Sequence, residues 1–104
     1  MRSHDWIDRR SLALHAAVAS KLEADAAVIE FARRNVERWS RAHDSPAIAE
    51  WKRLLDEAPV SEIVRLLRST DEDAIRLRQS SPFAGVLSAG ERRRILRAHD
   101  ARRP

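Results

Sequence analysis

An all-α fold, a compact single-domain bundle of five to six helices, follows from three features of the chain. Apolar residues recur at helical spacing through most of its 104 residues. The two glycines and four prolines stand between the periodic stretches and leave few breakers inside them. No stretch alternates apolar with polar in the way a half-buried strand does. A chain of this length makes one domain and one modest core, burying roughly 60 to 70% of the surface its unfolded form exposes.

The first helix is expected from Ser3 or Asp5 to Ala24, with Ile7, Leu14, Val18 and Leu22 in its inner row and Trp6, Leu12 and Ala16 widening it. Asp5 and Asp8 suit the positive end of its dipole. Asp25 is placed as N-cap of a second helix, with a bend between the two. Its inner row is Val28, Ala32, Val36 and Trp39, flanked by Ile29 and Phe31. Arg33, Arg34, Glu37 and Arg41 are assigned outward, with Glu30 paired to Arg34 and Glu37 to Arg41.

Asp44-Ser45-Pro46 punctuates the chain most clearly, Ser45 as N-cap and Pro46 at the first helical position. The third helix then runs to Glu57 on Ile48, Trp51, Leu54 and Leu55. Trp39 and Trp51 are equidistant from Ser45, so an antiparallel hairpin sets both indoles at one level of the core. Ala58-Pro59 stops that helix. Ser61 is expected to cap a fourth through Arg68, and Thr70 a fifth in which Ala74, Ile75 and Leu77 face inward until Ser80-Ser81-Pro82. Ser88-Ala89-Gly90-Glu91 is a capping box for the last helix, with Ile95, Leu96 and His99 inside and residues 100–104 fraying.

Composition narrows the function. Without cysteine there are no disulfides and no thiolate chemistry. No apolar run approaches the roughly 20 residues of a membrane span, and a soluble, cytoplasmic protein is expected. His4, His15, His43 and His99 have no metal-ligand spacing, no nucleophile elbow or phosphate loop is present, and the acids Asp71 and Asp73 are explained by a helix start. No enzyme, catalytic residue, metal or cofactor is expected.

Residues 88–104 carry six arginines against two acids, which accounts for the whole net charge of +4. The body is neutral, so a broad footprint for nucleic acid is absent. The fourth and fifth helices have the outline of a helix-turn-helix, but the second opens on Asp71-Glu72-Asp73, which phosphates repel. A DNA-binding regulator using the fourth to sixth helices therefore stands as the alternative reading, with Arg93, Arg94 and Arg97 as its contacts.

The stretch Ser80 to Leu87 is apolar where a connection is normally polar. Phe83 and Leu87 plug the end of the bundle, or part of the stretch stays exposed as an anchor for a partner, and both can hold at once with different residues on each side. On the second view the contact set is Arg76, Arg78, Gln79, Phe83, Val86 and Leu87, an apolar centre with a polar rim.

Asp5-Trp6-Ile7-Asp8-Arg9-Arg10-Ser11-Leu12-Ala13-Leu14-His15, and Leu77 to Leu87 followed by Glu91-Arg92, resemble the opening and closing signatures of small helical bacterial proteins encoded beside toxin genes. Asn35-Val36-Glu37-Arg38-Trp39 and Glu50-Trp51-Lys52-Arg53-Leu54-Leu55 fit the same pattern. The resemblance implies an antitoxin-like protein that neutralises a cognate toxin by contact, with operator DNA as a further partner. A self-associating homo-oligomer is the third reading.

Overall fold

In a computed structural model, which describes residues 3–101 and the side chains from residue 6 on, the chain forms six helices: α1 (Ser3–Ala24), α2 (Val28–Ala42), α3 (Pro46–Glu57), α4 (Val60–Arg68), α5 (Glu72–Arg78) and α6 (Ala89–Ala101). The all-α single bundle is as expected, within 40 × 29 × 25 Å. The side chains of His4 and Asp5, and residues 102–104, lie outside the described residues. Residues 100 and 101 continue α6 where fraying was expected.

Helix α1 is the axis of the molecule. Its 22 residues, about 33 Å at the usual rise, pack on α4 most extensively and also meet α6, α5 and α2. Neighbours on several sides explain why its apolar residues are not confined to one stripe. From Arg10 to Ala17 every side chain is half-buried, whichever way it points. Ile7 breaks the expected row and is 53% exposed. Trp6 takes the packing position instead, its ring 5.5 Å from that of His99 on α6. The next residue along a helix is turned about 100° away, which carries Ile7 to solvent.

Val18, Ala19 and Leu22 of α1 meet Ile29, Ala32 and Val36 of α2, Trp51 and Leu55 of α3, and Ile63, Val64, Leu66 and Leu67 of α4 in one core. Ala74 and Leu77 of α5 and Phe83 of the following loop complete it. Ala19, Ala32 and Ala74 are wholly buried, at points where a longer side chain would hold the helices apart. Trp39 is only half-buried, and the ring that meets Trp51 is Phe83, edge-on with centroids 5.9 Å apart. The loop supplies the aromatic partner that the second helix was expected to bring.

Several caps differ from expectation by one or two residues. Asp25 does turn the chain, but its carboxylate accepts from the Ala27 amide (2.9 Å) and α2 begins only at Val28, with Ala27 at the N-cap. Ser45 and Pro46 hold their expected places, although the Ser45 hydroxyl makes no cap bond. Pro59 occupies the N-cap of α4, its carbonyl accepting from Glu62 and Ile63, so Ser61 falls inside the first turn. Asp71, not Thr70, caps α5 and accepts from the Ala74 amide at 2.8 Å. A charged oxygen is the stronger acceptor there. Ser88 and Glu91 form the capping box as expected, each bonding the other's amide, at 2.8 and 3.1 Å.

One surface pairing and one outward assignment also change. Glu30 pairs with Arg33 and not Arg34, whose guanidinium lies 5.7 Å over the Phe31 ring. Arg33 was assigned outward; it is half-buried and donates to the Leu55 carbonyl (2.7 Å) in the last turn of α3, the negative end of that helix. Glu37 and Arg41 pair as expected. No helix among the described residues is long and apolar enough to cross a membrane.

Candidate interaction surface

The loop between α5 and α6 and the helix end that leads into it are fixed from beneath by side chains on three helices. Asn35 of α2, only 4% exposed, donates from its amide nitrogen to the carbonyls of Pro82 (2.8 Å) and Ala84 (3.1 Å). Its oxygen accepts from Arg38 at 2.6 Å. Trp51 of α3 donates its indole N–H to the Leu77 carbonyl (2.8 Å) at the end of α5. Arg78, at the C-terminus of α5, donates to the carbonyls of Leu66 (2.9 Å) and Ser69 (2.6 Å), at and just beyond the end of α4. Carbonyls of the loop and of the ends of α4 and α5 thus receive side-chain donors.

Gly85 makes the bend. Its φ is +90°, and a Cβ there would stand 3.1 Å from Cζ and 3.3 Å from Cε1 of Phe31. A side chain at that position meets both a disfavoured backbone and a ring. At the far end Lys21 of α1 donates to the Val86 carbonyl (3.1 Å) and to Glu91 (2.6 Å), tying the loop and the first turn of α6 to α1. Lys21 and the Ser88 amide together hold the Glu91 carboxyl down to about 2.

Burial divides the expected contact set. Phe83 is 4% and Arg78 5% exposed. Both were expected at the partner surface; they lie under it, because Phe83 fills the core beside Trp51 and the Arg78 guanidinium is consumed by carbonyls. The plug reading of the loop therefore holds for Phe83. Val86 and Leu87 are half-buried against the core. Gln79, Ser80, Ala84 and Gly85 are exposed. Arg76 is exposed but makes a two-pronged pair with Glu50 (2.9 and 3.0 Å) and a longer one with Asp73 (3.4 Å). Those carboxylates hold its guanidinium charge more firmly than usual.

The same geometry leaves α5 with no exposed arginine that is free of a carboxylate. Its first turn carries Glu72 and Asp73 behind the Asp71 cap, Arg76 is paired, and Arg78 points into the protein. Arg93, Arg94 and Arg97 stand exposed on α6, with no ion pair among the described residues.

Between α1, the loop and the start of α6 is a cleft of about 470 Å³. Leu14, Val18, Phe83 and Leu87 make it apolar, and His15, Ser81 and Arg92 are its polar members. The His15 Nδ1 donates to the Ser11 carbonyl at 2.8 Å. Burial lowers the imidazole pKa below its ordinary value; the Ser11 bond opposes this and the Arg78 charge adds to it. Burial therefore favours the neutral ring. Among the described residues no group of His, Asp and Glu stands close enough to hold a metal ion.

Asn35, the central latch, is absent from the expected set. Its signal was positional: a polar residue between Ala32 and Val36 on the inner stripe of an amphipathic helix must have a buried partner. Comparison with known protein families, with curated proteins and with solved structures gives no match to this chain.

Proposed function

We propose that the protein is an antitoxin-like neutraliser, acting in the bacterial cytoplasm by binding a cognate toxin through the surface built on residues 79–88. One observation carries this reading. A solvent-facing loop is tied to the body by Asn35 at Pro82 and Ala84 and by Lys21 at Val86, and the helix that leads into it is anchored by Trp51 and Arg78. Fixing a binding surface before contact removes part of the ordering cost of association. Gln79, Ala84, Val86 and Leu87 are the contact residues on this account, with Arg76 at the rim; Arg78 and Phe83 act from below as supports. The resemblance to proteins encoded beside toxin genes points the same way. Co-expression with the product of the neighbouring gene tests it: growth is restored and the two proteins co-purify. Lethality that persists with no complex on co-purification refutes it.

A second reading has its own observation, the exposed arginine face of α6, which makes no ion pair among the described residues. On that reading Arg93, Arg94 and Arg97 bind phosphates of operator DNA, and a gel shift at low salt is lost steeply as salt is raised. The Arg93→Glu, Arg97→Glu double variant abolishes the shift. No shift with wild-type protein at low salt ends that reading.

A further inference from the structure

We infer that the cleft between α1, the 79–88 loop and the first turn of α6 is a binding site for a small carboxylic acid with an apolar body. Its volume of about 470 Å³ lies in the range of small-molecule sites. The floor is Leu14, Val18, Phe83 and Leu87, suited to a hydrocarbon or aromatic body. The His15 ring, whose charged form burial disfavours, adds a further wall.

Charge selects the head group. Arg92 is the one charged residue lining this cleft, it is exposed, and it makes no ion pair among the described residues. No carboxylate lines the cleft beside it. The contrast is the groove along α3, α4 and α5, of similar size, where Glu50 and Glu62 are already taken by Arg76 and Arg65. A guanidinium at the edge of an apolar hollow matches a carboxylate by a two-pronged hydrogen bond. A single cation suits a single negative charge and not a polyphosphate.

The walls are also preformed. One side is α1, the central helix, and the other is the loop that Asn35 fixes through Pro82 and Ala84, so little ordering is required of the protein. The site requires no protein partner, although Ala84 and Leu87 belong both to it and to the proposed toxin surface.

The test is titration of the ¹⁵N-labelled full chain with 4-phenylbutyrate at pH 7, followed by amide shifts. Saturable shifts at Ala84, Gly85, Leu87 and Arg92 are expected. Affinity should fall at least fivefold in Arg92→Gln and for 4-phenylbutan-1-ol, the uncharged counterpart, and stay unchanged in Arg93→Gln, whose arginine is exposed outside the cleft. Shifts that do not saturate, or that map elsewhere, overturn the site. Equal binding of the alcohol, an unaffected Arg92→Gln, or an equal loss in Arg93→Gln overturns the role of Arg92 and with it the assignment of the ligand.

Discussion

Replacing Asn35 with alanine removes a side chain that bridges α2 to the 79–88 loop by two hydrogen bonds to its backbone. The Pro82 carbonyl is buried and loses its donor, at a cost of about 1 to 3 kcal/mol. The Ala84 carbonyl is part-buried, and losing that bond costs about 1 kcal/mol more. The total is about 2 to 4 kcal/mol, a large share of the stability of a small domain. For a chain of this length that lowers Tm by roughly 10 to 25 °C. Urea unfolding followed by far-ultraviolet circular dichroism measures it, with an unchanged slope against denaturant if only the folded state is affected. Arg41→Ala is the control, since its exposed pair with Glu37 contributes at most about 0.5 kcal/mol. An Asn35→Ala loss below about 0.5 kcal/mol would mean that the loop is not held from α2, and the argument for a preorganised surface would fail.

Gly85→Ala is expected to destabilise by about 1 to 3 kcal/mol, from the left-handed backbone and the contact with Phe31; thermal unfolding within 0.5 °C of wild type contradicts this. Trp51→Phe keeps the ring against Phe83 but removes the indole bond to the Leu77 carbonyl, which still accepts from the Ser80 amide, a loss of about 0.5 to 1.5 kcal/mol read by the same denaturation. The depressed His15 pKa means that the unfolded chain takes up a proton first, at its ordinary value near 6.5. Stability is therefore complete above that pH and declines as the pH falls through the lower, folded value. His15→Gln should flatten the profile just below pH 6.5, and parallel profiles would exclude His15 as the cause. The Glu91 carboxyl, held at about 2 against an ordinary 4.5, contributes stability that is present above 4.5 and lost between the two values; Glu91→Gln should remove that part of the acid transition.

Periodicity and punctuation made the helices legible, because both are local. The third helix can be read to the residue from Ser45-Pro46 and Ala58-Pro59, and the capping box of the sixth from Ser88 and Glu91. What was not legible depends on partners distant in sequence. Arg78 looks like a surface arginine until α4 is seen to end with carbonyls directed at it. Phe83 looks like an anchor until Trp51 is placed beside it. Ile7 fits the row of α1, and only the packing of Trp6 against α6 shows which of the two faces inward. The apolar loop could be identified as unusual from composition alone, but its division into buried support and exposed surface required Asn35, 47 residues earlier than the carbonyl it holds.

The most direct test of the proposed neutraliser is the affinity of the purified protein for the product of the neighbouring gene, measured by calorimetry for wild type and for Ala84→Arg. Ala84 is exposed on the loop, so a long cation there blocks the surface without entering the core. A saturable complex with wild-type protein, weakened at least tenfold by Ala84→Arg at unchanged helicity and Tm, is the predicted result. No complex with wild-type protein, or equal affinity in the variant, would contradict it.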